Sequence, residues 1–162
     1  MRTRYMAGAF LACGDKVLLI KRGMHKALAP GLWSCVGGHV EPEEMNDPDA
    51  ACYREIEEET GIGRGLVEGL RLRYMTVRQV DDGEIRVGYY YVGRVVREVA
   101  LPPCSEGELK WVPLVEVRNL GLTMTYSVGE IVRRWLADGE DWDGRVQLLA
   151  IGPENVGVWK GM

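Results

Sequence analysis

Between Glu41 and Glu59 the chain carries nine acidic side chains and one basic one, Arg54. The stretch holds a local charge of −8 in a protein whose formal net charge is −4, so the rest of the chain is positive by 4. Local signals make most of this stretch a helix. Asp47 is a good N-cap, and Pro48 suits the first helical position, where its missing N–H is not needed. Gly61 ends the run, which predicts a helix over 48–60. At 100° per residue, Glu55, Glu58 and Glu59 then share an arc of about 100°. Tyr53, Cys52 and Ile56 fall to one side of that arc, as a helix packed on a sheet requires. Like charges at i, i+3 and i+4 destabilise a helix by roughly 0.2–0.5 kcal/mol per pair. Glu58 and Glu59 also sit at the end of the helix where the dipole disfavours anions. A solvated acidic face would interleave Lys, and this one has none. Hard divalent cations take oxygen ligands, and a rigid helix can present several carboxylates to one of them.

The rest of the chain frames that helix with strands. Tyr5–Cys13 and Lys16–Lys21 read as a hairpin turning at Gly14-Asp15. The apolar run "LWSCV" ends at Gly37-Gly38. Leu70–Val80 and Ile85–Val96 are strands separated by the turn signal "DDG", and "ELKWVPL" is a shorter strand stopped at Pro113. Met124–Ala137 has helical period, with Val128, Ile131, Val132 and Trp135 on one side. The tail "RVQLLAIGPENVGVWKG" predicts a final hairpin, at about 145–160, turning through Gly152–Asn155. Strands mixed with two helices imply an α+β layered domain, and 162 residues with 46% hydrophobic content suit a single domain spanning 1–162. Four cysteines without a CxxC pair, beside only two histidines, argue against structural zinc. No segment approaches the ~18 apolar residues of a membrane span, and the acidic balance argues against a nucleic-acid surface. The expectation is a cytoplasmic protein with reduced thiols.

The spacing adds a resemblance. Gly38, five residues, Glu44, and then Arg54-Glu55-Ile56-Glu57-Glu58-Glu59-Thr60-Gly61-Ile62 resembles the Nudix box, G-x5-E-x7-R-E-U-x-E-E-x-G-U with U apolar, over residues 38–62. The flanking "VLLIKR", "GLWSCVGG" and "ELKWVPLVEV" are similar to the same family, so the likeness spans most of 5–137. One departure stands out: nine residues, not seven, separate Glu44 from Arg54. Asp47 keeps the capping position seven residues before Arg54, so Met45-Asn46 are the insertion. The helix carboxylates keep their register, whereas that of Glu44 does not follow from the helix.

The resemblance implies a Nudix fold, a three-layer α/β/α sandwich with a mixed sheet, here extended by the C-terminal β-hairpin. It implies that Glu55, Glu58 and Glu59 ligate or orient Mg²⁺ or Mn²⁺, with the Gly37 carbonyl as a further ligand. Arg54 would orient the carboxylates and Glu44 would support them. Any of the three helix glutamates could serve as general base. Glu106 and Glu108 are candidates for the extra carboxylate that many members recruit from a later loop. His39, Tyr74, Arg78 and Tyr126 are candidates for substrate contact, while Trp33, Trp111 and Trp135 read as core. The implied activity is hydrolysis of a nucleoside diphosphate linked to another group, foremost a nucleoside triphosphate, oxidised or not. ADP-sugar and dinucleoside polyphosphate substrates stay open, as does a non-catalytic nucleotide sensor, although sensors usually have an eroded box and this one is full. A cysteine-based prenyl diphosphate isomerase would need partner residues that the sequence does not identify. The expected partner is a small nucleotide, with no nucleic acid or membrane, and the C-terminal hairpin offers an edge for a homodimer.

Overall fold

In the computed structural model, the described residues are 1–80, 83–120 and 123–161, with the side chain of Leu120 left aside. Among them the strands are β1 (Arg2–Cys13), β2 (Lys16–Arg22), β3 (Trp33–Ser34), β4 (Val36–His39), β5 (Val67–Val80), β6 (Glu84–Val95), β7 (Gly107–Pro113), β8 (Gln147–Ile151) and β9 (Gly157–Gly161). The helices are α1 (Pro48–Thr60), α2 (Leu114–Leu120) and α3 (Tyr126–Asp138). One mixed sheet runs β3-β2-β1-β6-β5-β8-β9, with β4 added to β1 and β7 to β2. The β1–β6 and β5–β8 pairs are parallel, and the other pairs are antiparallel.

Period-2 alternation along β1 splits the core into two layers. Ala7, Ala9 and Leu11 pack with Ala51, Cys52 and Ile56 of α1. Phe10 belongs to the opposite cluster, with Val117 of α2 and Val128, Ile131 and Val132 of α3. Helices on both faces of a mixed sheet make the three-layer arrangement. Trp33 and Trp135 pack against the second cluster and Trp111 against the first, all as core side chains.

The expected helix over 48–60 is α1, capped as its sequence implies: Asp47 Oδ1 accepts from the Ala50 N–H at 3.1 Å. At the other end Gly61, with φ of 70°, donates its N–H to the Glu57 carbonyl at 2.9 Å. The second helix starts at Tyr126, not Met124, because Met124 bridges to Trp33 and the Thr125 N–H donates to the Trp33 carbonyl at 3.1 Å. Residues 114–120 form α2, a two-turn helix whose sequence is too short to show a period. The turn read from "DDG" falls at Asp81-Asp82, outside the described residues. The tail forms the hairpin β8–β9, and β8 lies parallel to β5 with Gln147 beside Tyr74 and Ile151 beside Arg78. Asp138, at the end of α3, fastens it by accepting from Tyr74 Oη (3.2 Å), Gln147 Nε2 (3.0 Å) and Arg134 Nε (3.1 Å). None of the described helices is long and apolar enough to cross a membrane.

Candidate active site

The α1 carboxylates reach the end of the sheet where β4 adds to β1. Two glycines make that approach possible. At Gly37, φ is 149° and a Cβ would stand 2.1 Å from the Ala7 carbonyl oxygen. At Gly38 a Cβ would lie 2.5 Å from Cδ and from both carboxylate oxygens of Glu55. The Glu55 carboxylate therefore rests directly on a backbone without a side chain.

Arg54 is the hub. Its Nε and Nη2 hold Glu44 Oε1 and Oε2 at 2.7 and 2.9 Å, a two-point grip that a planar guanidinium alone provides. Nη1 donates to Glu55 Oε1 at 2.7 Å and to Glu58 Oε2 at 3.1 Å, and Nη2 also donates to the His39 carbonyl at 2.9 Å. One cation thus joins three carboxylates on two segments. The Met45-Asn46 insertion is accommodated in an exposed turn: the Asp47 N–H donates to the Glu44 carbonyl at 2.8 Å, and the Glu41 N–H to Glu44 Oε2 at 3.0 Å. Held by Arg54, Glu44 has its carboxyl lowered to about 2.

Glu59 is different. Among the described residues its hydrogen bond comes from the Gly37 N–H, at 2.9 Å to Oε2. Burial, reinforced by Glu55 and Glu106, pushes its carboxyl up to about 7 against the pull of that N–H and of Arg22. Burial also raises Glu55, with Arg54 opposing. Crowded, part-buried carboxylates with this charge deficit are the hard oxygen donors that Mg²⁺ or Mn²⁺ takes. Among the described residues, no group of three or more His, Cys, Asp or Glu side chains is placed so that together they could hold a metal ion. Arg54 draws Glu55 and Glu58 to itself, and Glu59 turns to Gly37. An open shell suits Mg²⁺, which is usually bound by one or two carboxylates with substrate phosphates completing the sphere.

Glu55, Glu58 and Glu59 line a cleft of about 940 Å³ that also takes in Gly37, His39, Arg78 and Glu106. Glu106 lies in the loop before β7 and pairs with Lys26 Nζ at 2.6 Å. Three other candidates lie elsewhere. Glu108 is exposed on β7 beside Lys21, outside this cleft. Tyr74 is fully buried in the core, with its ring edge-on to Trp159 at 5.8 Å and its hydroxyl on Asp138. Tyr126, at the start of α3, lies by Gly157 of the terminal hairpin and does not line the cleft. Both tyrosines are taken up by docking the tail, which sequence position does not reveal. The cleft also gathers residues that the sequence does not single out: Arg4, Arg22, Lys26 and Arg86. The charge ending "VLLIKR" is the one available signal for Arg22.

A family model described as the NUDIX domain matches residues 2–135. The chain belongs to the Nudix family. MutT Nudix hydrolases are among the solved structures it resembles, and Nudix hydrolases generally work with divalent metals. A MutT protein from Bacillus halodurans superposes with a TM-score of 0.69 at 21% identity, covering 98% of this chain and 97% of that one. A Nudix hydrolase from Nitrosomonas europaea gives 0.74 at 19% identity, covering 94% and 80%. At such identities the two structures establish the fold. A curated relative, the isopentenyl-diphosphate Delta-isomerase of Mycolicibacterium vanbaalenii, is 29% identical over 109 residues, or 64% of this chain and 58% of that protein. The chain therefore spans less than two thirds of that relative's length.

Proposed function

We propose that this Nudix enzyme hydrolyses a nucleoside triphosphate, canonical or oxidised, to the monophosphate and pyrophosphate with Mg²⁺ or Mn²⁺. The observation that carries this reading is the cleft, in which Glu55, Glu58 and Glu59 of α1 stand in the same cavity as the cations Arg22 and Lys26. Glu55, Glu58, Glu59 and the Gly37 carbonyl would hold the ion, with Glu106 as the later-loop ligand once released from Lys26. When bound, the ion polarises the phosphoryl oxygens and acidifies the attacking water. Water oxygen bonds to phosphorus, the bridging P–O bond breaks, and pyrophosphate leaves with its electron pair. An α1 carboxylate takes the water proton. Arg54 fixes the angle of Glu55 and Glu58, and Glu44 fixes Arg54. Arg22 and Lys26 neutralise the phosphate chain, and His39 at the cleft edge contacts it. The four cysteines are free thiols, in keeping with a cytoplasmic setting. A homodimer through the open edge of β9 is part of the same reading.

Dinucleoside polyphosphates and ADP-sugars are alternative substrates. Isomerisation of isopentenyl diphosphate, suggested by the curated relative's name, is a further alternative. Two thiols line the cleft: Cys104, and Cys35, which burial pushes up to about 12. The test is a Mg²⁺-dependent panel followed by ³¹P NMR: canonical and oxidised nucleoside triphosphates, ADP-ribose, nucleotide sugars, diadenosine tetraphosphate and isopentenyl diphosphate. Triphosphate turnover that disappears in Glu59→Gln supports the proposal. Cleavage of another class alone replaces the substrate, and metal-dependent binding without cleavage of any compound replaces the enzyme with a sensor.

A further inference from the structure

Three arginines line the cleft floor away from the carboxylates. In the β1–β6 register Arg4 stands beside Arg86, and in the β5–β6 register Arg78 stands beside Arg86. The three form one row across adjacent strands β1, β6 and β5, and all three line the cavity that holds Glu55, Glu58 and Glu59. Towards the core, the next row on the same face is Met6, Gly88 and Thr76, followed by Gly8 and Tyr90. A Cβ at Gly88 would meet the Tyr90 ring at 2.5 Å and Thr76 Oγ1 at 2.6 Å, so this middle floor lacks a side chain and stays low.

Like charges directly opposite on neighbouring strands are destabilising. Their relief among the described residues is incomplete. Glu84 takes Arg86 Nε at 2.6 Å and lies 3.1 Å from Arg4 Nε, giving one carboxylate for three guanidinium groups. Arg78 Nε is buried with no hydrogen-bond partner among the described residues, and the buried Arg4 Nε has its ion pair with Glu84 but no well-formed hydrogen bond there. Arg78 is instead held by a neutral group: its Nη2 donates to Asn155 Oδ1 at 2.6 Å. Asn155 sits at φ of 57° in the turn of the β8–β9 hairpin, beyond the residues matched by the family model. The tail of this chain thus orients one member of the row without neutralising it.

The row stands well apart from the carboxylates. Gly38 pairs with Ala7, three residues along β1 from Arg4, and β6 lies two strands from β4. At ~3.3 Å per residue and ~4.8 Å per strand, the backbones of Gly38 and Arg86 are about 14 Å apart. That is further than the two phosphorus atoms of one diphosphate. We propose that Arg4, Arg86 and Arg78 form a second anion subsite that takes a phosphomonoester on the substrate, remote from the bond that is cleaved. This goes beyond the proposed function and rests only on its metal-dependent cleavage of a diphosphate: in place of a plain nucleoside triphosphate, the substrate is then a nucleoside diphosphate derivative bearing a further phosphate, on its ribose or on the group beyond the diphosphate.

Matched pairs that differ by one phosphomonoester test this: coenzyme A against 3′-dephospho-coenzyme A, and NADPH against NADH. Dissociation constants are measured by calorimetry with Mg²⁺ on Glu59→Gln protein, and hydrolysis is measured on the wild type. Inositol hexakisphosphate as competitor reports whether a phosphorylated polyol reaches the same row. Charge-assisted hydrogen bonds predict at least about tenfold tighter binding of the phosphorylated member in one pair, or competition by the polyol in the micromolar range. Arg78→Gln and Arg4→Gln, on different strands, should each bring the ratio towards 1 or weaken the polyol severalfold. Asn155→Ala should do so more weakly, since it frees Arg78 and keeps its charge. Ratios of 1 in both pairs without polyol competition would overturn the subsite, as would preferences that the arginine variants leave unchanged. Hydrolysis absent for every compound, with phosphate-dependent binding intact, would remove the proposed reaction and leave the subsite standing.

Discussion

Gly38→Ala should disable the enzyme while sparing the fold. A Cβ at this position would stand 2.5 Å from three atoms of the Glu55 carboxyl, where ordinary contact begins near 3.4 Å. The carboxylate must therefore shift by about 1 Å, and its 2.7 Å bond to Arg54 Nη1 cannot survive unchanged. A displacement of that size in a positioned group costs on the order of 10²-fold in rate. The stability cost is small, because the three nearest atoms displaced end a flexible side chain. The expectation is a loss of under about 1 kcal/mol in a urea melt. Steady-state kinetics on the best substrate of the panel, Mn²⁺ titration by calorimetry, and the melt should be run together. Gly65→Ala is the control, since nothing lies within 4 Å of its added Cβ. A Gly38→Ala protein within threefold of wild-type kcat/KM would refute the argument that Glu55 must rest on a bare backbone. A variant that fails to fold would refute the separation of placement from stability.

Arg54→Lys keeps the charge but cannot span Glu44, Glu55, Glu58 and the His39 carbonyl together; kcat/KM should fall by ~10–10²-fold, with a stability loss of about 1–3 kcal/mol in chemical denaturation. Glu44, with its carboxyl lowered to about 2 from an ordinary 4.5, binds its proton more weakly folded than unfolded. Its stabilisation is complete above about pH 4.5 and drains away as the pH falls towards 2, so Glu44→Gln should flatten the acid limb of urea melts between pH 2 and 6. Treatment with EDTA should abolish turnover, and added Mg²⁺ should restore it in the wild type but not in Glu59→Gln. Cys35 and Cys52, both buried with raised thiols, should react with Ellman's reagent only after denaturation, whereas Cys13 and Cys104 react in the native protein.

Local physics wrote α1 into the sequence. Cap, proline, glycine stop and 3.6-residue period lie within fifteen consecutive residues, so the shared arc of Glu55, Glu58 and Glu59 follows from counting along the chain. Strands with clear turn signals are legible for the same reason, to within a few residues of their ends. Other features depend on partners far along the chain. The grip of Arg54 on Glu44 crosses an insertion that shifts the family spacing, and only the folded turn shows how the two still meet. Tyr74 reads as a strand residue free to face a ligand, until α3 and the tail enclose it. Arg4, Arg86 and Arg78 are separated in sequence, yet β-sheet register places them side by side. Alternation fixes which face each strand residue takes, whereas the order of strands is set by burying the two apolar clusters at once. The sequence by itself determined the acidic helix and the shared arc of its carboxylates, and the tertiary structure decided what shares the cleft with them.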